Sequence, residues 1–258
     1  MKELIKFCDK LLRSAGELLL KQEIAVAGHK TANDLLTEND LLIEQYLMEE
    51  IKATFPEVNI VSEETNADKP LGGVSVVIDP IDGTCNYAAG MDSFGIQIAI
   101  FEEVECVAAY MYFPRTGEMI SAEKGRGAFA NGKKLTVNKD MLPSDGFLLI
   151  SDYYGNIAVP MDRQFELIKR LQPVFLKTRH LGAACVDFTA LAKGQAAAYI
   201  SYYHYIWDIA PGLLIANESG CVHALIDGSA YTYGTPGIVV ANSEANLQRI
   251  LSEYRALC

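Results

Sequence analysis

Residues 74–84 read VSVVIDPIDGT, and the rest of the chain is organised around this stretch. Val74 to Ile78 supply an apolar run that ends in a carboxylate, which predicts a short strand over Val74–Asp79. Pro80 lacks a backbone donor, so the ladder is expected to stop there on that side. Asp82-Gly83-Thr84 then turns sharply. Backbone N–H groups freed after such a turn can bind phosphate oxygens. Asp79 and Asp82 lie three residues apart across the turn, so both could hold one cation. Carboxylates without a neighbouring His or Cys suit a hard ion such as Mg2+. A calcium loop of the EF-hand kind is excluded, because it needs acids at alternate positions and a Glu at the twelfth. The plainer alternative is a turn at Asp82-Gly83 and an acid at a strand end.

Three further acidic motifs flank this one: Asp34-Leu35-Leu36-Thr37-Glu38-Asn39-Asp40, Ser62-Glu63-Glu64, and Trp207-Asp208-Ile209-Ala210. Each has a structural alternative. Asp40 stands three residues after Thr37, as in a capping box. Asp208 could cap a helix, with Pro211 tolerated in its first turn. Glu63 and Glu64 could be a solvated pair. The aromatic run Tyr202, Tyr203, Tyr205 and Trp207 suits a core or an interface, and the four histidines show no ligand spacing.

The chain has 258 residues, half of them hydrophobic and 21% charged, which excludes a mainly disordered protein. Its 22 basic and 33 acidic residues leave a net charge of −11. So acidic a surface repels a phosphate backbone, and no nucleic-acid partner is expected. An anionic small molecule would need a local cation to reverse the field. The six cysteines are scattered without paired spacing, as in a reduced, cytoplasmic protein. Acidic residues interrupt the N-terminal apolar segment, and no run is long enough to span a membrane.

Apolar residues at Leu4, Cys8, Leu11, Leu12, Ala15 and Leu19 predict a first helix, and Ala25–Asn33 reads as a loop around Gly28. A helix over 38–54 follows, ended by Pro56. Strands are expected at Val58–Ser62, Phe94–Phe101, Val104–Phe113 and Gly117–Ala122, with turns at Gly125-Arg126-Gly127 and Asn131-Gly132. Beyond a linker near Asp140–Gly146 the pattern alternates: strand Phe147–Ser151, helices over 162–171 and 183–193, strand Ala196–Ser201, helix 208–219, strand Gly237–Ala241 and helix 243–256. Two subdomains, 1–140 and 141–258, are expected, with a cleft between them. The first would carry most metal ligands, and the second would supply Asp208 and substrate contacts.

The four motifs, in this order and spacing, resemble the inositol monophosphatase family of Mg2+-dependent, lithium-sensitive phosphatases. The likeness spans essentially the whole chain. It implies an α+β fold, the layered α-β-α-β-α sandwich of the inositol monophosphatase and fructose-1,6-bisphosphatase type, and a homodimer. It implies two or three Mg2+ ions: Glu63, Asp79 and the carbonyl of Ile81 on the first, Asp79, Asp82 and Asp208 on the second, and Glu63 reaching a weaker third. With Glu63, the pair Thr84 and Asp40 would be catalytic, orienting the attacking water. N–H groups of Gly83 and Thr84 would hold the phosphate, and Gly182, Ala183, Ala184, Ser201, Asp82 and Asp208 would line the substrate.

The implied activity is phosphomonoester hydrolysis on a small phosphorylated polyol, sugar or nucleotide, most like that of an inositol-1-monophosphatase. The chain departs from the family pattern at Ser201, where relatives carry a Glu that binds polyol hydroxyls, and at Pro211. Relatives also act on 3′-phosphoadenosine 5′-phosphate and NADP, and some bind transcription machinery. No basic patch for that last role is evident in the sequence.

Overall fold

The computed structural model describes residues 1–31, 34–153 and 159–257. In chain order its elements are α1 (Lys2–Leu19), β1 (Val26–Thr31), β2 (Asp34–Thr37), α2 (Glu38–Thr54), β3 (Asn59–Ser62), β4 (Val74–Asp82), α3 (Thr84–Ala88), β5 (Gly95–Glu102), β6 (Glu105–Phe113), β7 (Glu118–Glu123), β8 (Gly127–Ala130) and β9 (Lys133–Leu135). A 3-10 turn over Pro143–Asp145 separates these from β10 (Phe147–Ile150), α4 (Met161–Leu171), β11 (Lys177–Arg179), α5 (Ala184–Ala192), β12 (Ala196–Ser201), α6 (Ile206–Ser219), β13 (Val222–Ala224), β14 (Ile238–Ala241) and α7 (Glu244–Arg255).

Two sheets carry the fold. Strands β3 to β9 pair in sequence order into one sheet of seven, antiparallel except for the parallel β3–β4 pair. The second sheet has the order β11-β10-β12-β14-β13, parallel across its first three strands and antiparallel across its last three.

Side-chain alternation along each strand sends successive residues to opposite faces, and this builds the layers. Val76 and Ile78 of β4, with Ile96, Ile98 and Ile100 of β5, pack against the apolar stripes of α1 and α2. Val77, Ala99 and Phe101 face the other way, onto Phe188 and Leu191 of α5 and Leu213 and Ile215 of α6. The same cluster takes in Leu149, Tyr199 and Val240 from the second sheet. The far face of that sheet packs on α4 and α7 through Ile150, Ile200 and Val239. The order of layers is therefore helix, sheet, helix, sheet, helix, as the motif resemblance implied. Helix α6 is buried almost all round, from Trp207 to Ala216, as a helix between two sheets must be.

Four expectations from the sequence are corrected. Residues 26–31 are not a loop: they form β1 of a hairpin with β2, with register shifts, while residues 32 and 33 lie outside the described residues. Strand β4 does not stop at Pro80. It resumes after an irregularity between Asp79 and Asp82, where the missing donor of Pro80 costs no ladder bond. Helix α6 starts at Ile206, so Asp208 is its third residue and Pro211 sits in its second turn. Beside the expected turns at Gly125-Arg126-Gly127 and Asn131-Gly132 the chain forms the short strands β8 and β9, and β11 and β13 are further strands of three residues, too short to show a period. Among the described residues, Cys8, Cys85, Cys106, Cys185 and Cys221 are unpaired. No described helix is long and apolar enough to cross a membrane.

Helices α5 and α6 approach closely at Gly212. A Cβ there would lie 2.1 Å from Cδ2 of Phe188, which is itself fully buried. Gly212→Ala is therefore expected to destabilise the fold by about 1–3 kcal/mol through overpacking. The check is a lower urea midpoint at unchanged m-value.

Candidate active site

The site forms where β4 ends. Asp79 lies on the face of the seven-stranded sheet that looks towards α5 and α6. The irregularity after it carries Ile81 and Asp82 to the mouth of the following turn. Gly83 turns the chain at φ +88°, in the left-handed region. A Cβ at Gly83 would come within 2.8 Å of the Ala183 Cβ, so glycine also lets the start of α5 close onto this turn. That closure has a polar purpose: the backbone N–H groups of Ala184 (3.1 Å) and Cys185 both donate to the Asp82 carboxylate.

Short helix α3 begins at Thr84, so the first N–H groups of this segment have no partner within the helix. The Thr84 hydroxyl lies 3.0 Å from Asp40 Oδ1 and 2.9 Å from the Ile81 carbonyl, and can donate to either. Asp40 is held in turn by Thr37: its Oδ2 accepts from the Thr37 N–H (2.8 Å) and from the Thr37 hydroxyl. Thr37 and Asp40 also form the capping box of α2. The structural and the chemical readings of Asp40 therefore coexist, with Oδ2 serving the helix and Oδ1 serving Thr84.

Glu63 and Glu64 follow β3. They are not a solvated pair. Lys30, from β1, places its ammonium 2.7 Å from Glu63 and 2.5 Å from Glu64. The backbone here is pinned by Glu44 of α2, whose carboxylate accepts from the Glu64 N–H (2.8 Å) and the Thr65 hydroxyl (2.5 Å). Asp208 arrives from α6, where its Oδ2 accepts from the Tyr205 N–H at 2.7 Å.

Electrostatics ties these groups into one centre. Burial, then the charges of Glu63, Asp82 and Asp208, push the Asp79 carboxyl well above the usual carboxylate range. Burial pushes Glu63 up to about 7, with Asp208 and Asp40 adding to the effect and Lys30 opposing it. Glu64 rises to about 7 through burial and the charge of Glu63. Burial raises Asp82, against the N–H donors of Cys185 and Ala184.

Among the described residues, no three His, Cys, Asp or Glu side chains close around a single point. The carboxylates are neighbours rather than a ready-made cage. Two observations nevertheless fit a divalent cation. The donors are hard oxygens, and Asp79 Oδ1 is buried with no hydrogen-bond partner. Glu63, Asp79, Asp82 and Asp208 are the residues able to hold it.

The sequence-predicted residues Asp40, Glu63, Asp79, Ile81, Asp82, Gly83, Thr84 and Asp208 meet here. Of the segment Gly182-Ala183-Ala184, the Ala184 N–H is committed to Asp82. Ser201 is fully buried, with its hydroxyl donating to the carbonyl of Tyr203 at 3.0 Å. Three polar residues of the site escaped sequence reasoning: Lys30, Glu44 and Gln97. Gln97 alone carried a signal, as a single amide within the otherwise apolar run Phe94–Phe101.

The sequence matches the inositol monophosphatase family over residues 1–257. It is 30% identical to the inositol-1-monophosphatase of Bacillus subtilis, over 98% of this chain and 96% of that protein. Among solved structures, the Thermotoga maritima IMPase superposes with a TM-score of 0.86 at 26% identity, covering 100% of this chain and 98% of the other. An IMPase/NADP phosphatase complexed with NADP and Ca2+ gives 0.82 at 25% identity, covering 98% and 93%. Four carboxylates gathered beside a Thr–Asp pair, on a five-layered fold shared with these proteins, leave one conclusion: the chain belongs to the inositol monophosphatase family, whose members are phosphoric monoester hydrolases.

Proposed function

We propose that the chain is a Mg2+-dependent phosphomonoesterase acting on a small phosphorylated polyol, sugar or nucleotide. The observation that carries this reading is that Glu63, Asp82 and Asp208 lie near enough to Asp79 to repel its charge, beside the Thr84–Asp40 pair, with one buried oxygen of Asp79 left unpartnered. Glu63, Asp79 and the Ile81 carbonyl would hold one ion, and Asp79, Asp82 and Asp208 a second. Bound there, Mg2+ supplies Lewis acidity for water activation and neutralises charge on the phosphoryl group.

The chain's own residues do the positioning. Asp40, locked by Thr37, fixes the rotor of the Thr84 hydroxyl, and the lone pairs left on Thr84 Oγ1 can orient the attacking water. Backbone N–H groups of Gly83 and Thr84 can take phosphate oxygens, at no side-chain entropy cost. The N–H donors of Ala184 and Cys185 each take one oxygen of the Asp82 carboxylate and hold it in a fixed rotamer.

The end that receives the alcohol part of the substrate differs from a polyol site. Relatives place a Glu at the position of Ser201. Here Ser201 Oγ lies 3.3 Å from His204 Nδ1, and His204 Nε2 lies 3.1 Å from the Tyr231 hydroxyl. Burial lowers His204 to about 4, so it is neutral at pH 7. Beside it, half-exposed Tyr205 stacks on Trp207 with ring centroids 4.8 Å apart. An uncharged, aromatic rim favours flat or bulky alcohols over inositol, which supports a sugar or nucleotide phosphate as the preferred substrate.

The direct test is phosphate release from a panel of inositol 1-phosphate, fructose 1,6-bisphosphate, 3′-phosphoadenosine 5′-phosphate and NADP, with Mg2+ and with EDTA. Release in Mg2+ that stops with EDTA is expected; release that persists in EDTA would overturn the reading. Thr84→Ala should lower kcat by about 10²-fold or more at little change in metal affinity. Asp40→Asn should act similarly, and the double variant should lose less than the product of the two, because the pair works as one unit.

A pH effect on stability follows from His204. Folded, it stays neutral down to about pH 4, whereas unfolded it binds a proton near its ordinary value of 6.5. The His204 contribution is therefore fully present above pH 6.5 and is lost as the pH drops towards 4, by on the order of 3 kcal/mol in total, while the raised Glu63 and Glu64 act in the opposite sense over the same window. Urea titrations across that window should show a shallower fall for His204→Gln than for the wild type.

A further inference from the structure

Strand β5 is an interior strand of the seven-stranded sheet, between β4 and β6, and its residues from Gly95 to Phe101 are all buried. Every side chain of that run is apolar except one. Gln97 is wholly inaccessible to solvent, and it lies on the face that carries Ala99 and Phe101 towards α5 and α6. Its neighbour across the ladder on β6 is Met111. An amide at such a position is unfavourable unless both ends find partners, and one end does not: Gln97 Oε1 is buried without a hydrogen bond. A Leu or Met would pack there without that penalty.

The other end of the amide explains its presence. In the antiparallel register Gln97 stands directly opposite Asp79, and its Nε2 donates to Asp79 Oδ2 at 3.3 Å. A carboxylate that holds a cation is ionised and only accepts, which is the state the NH2 end of the amide suits. This bond occupies one oxygen of Asp79 and leaves Oδ1 without a partner. No other hydrogen bond to the Asp79 side chain is formed among the described residues. The rotamer of Asp79 therefore has a single polar restraint, and it comes from the neighbouring strand.

We propose that Gln97 is a positioning residue for cation binding: its amide pins Asp79 Oδ2 so that Oδ1 is presented to the metal. The proposal rests on the reading of Asp79 as a metal ligand. Groups that hold a ligand's second atom set its orientation, and their removal costs roughly 10–100-fold in metal affinity or activity. Gln97 acts through Asp79 and has no contact with the substrate, so its loss should weaken cation binding without altering KM at saturating Mg2+.

The experiment titrates Mg2+ alone, by calorimetry, into the metal-free full chain of the wild type, Gln97→Met and Asp79→Asn. Thermal unfolding of each variant without metal is recorded in parallel. Gln97→Met is expected to remain folded, because the removed unpaired carbonyl oxygen offsets the partner lost by Asp79 Oδ2, and to bind Mg2+ at least 10-fold more weakly. Asp79→Asn should show little binding. A folded Gln97→Met that binds within twofold of the wild type, beside an Asp79→Asn that does not bind, overturns the role of Gln97 and leaves the metal reading standing. Retention of Mg2+ affinity by Asp79→Asn would overturn the metal reading itself. Should Gln97→Met fail to fold, Gln97→Asn is the second variant. It keeps the amide but withdraws it by one methylene, so the same loss of affinity is expected, and wild-type affinity would overturn the proposal.

Discussion

Carboxylates that share a buried space repel one another, and this molecule is arranged around that constraint. Asp79 and Asp82 are almost inaccessible, and Glu63 and Asp208 stand close enough to raise the Asp79 pKa. In water such a cluster would disperse. Here each member is fixed by a different element: Asp79 by β4 and its neighbour strand, Asp82 by two amides at the start of α5, Asp208 by the first turn of α6, and Asp40 by the first turn of α2. The scaffold opposes a repulsion that no local structure could withstand, and it does so because the four elements come from three layers, α2, β4 and the α5–α6 pair, packed on common cores.

The middle helical layer is where this becomes possible. Helices α5 and α6 contact both sheets, so the donors to Asp82 and the carboxylate of Asp208 are carried on the layer that joins the two halves of the chain. Gly83 and Gly212 permit the closest approaches, the first between the turn and α5, the second between α5 and α6. A Cβ at either point would collide with its neighbour, so both approaches depend on glycine.

Much of this was legible in the sequence, for physical reasons. Helices with strong apolar stripes, such as α1, and strands with unbroken apolar runs, such as β5 and β12, announce themselves by period and length. The VSVVIDPIDGT stretch is legible because Pro, Gly and two acids leave few conformations open. Strand β1 was not, because Gly28, His29 and Lys30 show neither alternation nor β propensity, and their pairing with β2 comes from context. The start of α6 was misread because an acid can serve a helix at its cap or at its third residue, and only the backbone distinguishes them. Gln97 and Lys30 were missed for a simpler reason: what matters about each is a partner distant in sequence, Asp79 across a ladder and Glu63 across the site.

The Lys30 ammonium has a consequence for the order in which the protein matures. It sits between Glu63 and Glu64 on a hairpin made within the first forty residues, before most of the chain that will bury those acids. A nascent chain thus brings its own counterion to the place where charge accumulates. Collapse of the core then proceeds with the charge of those two acids already partly compensated.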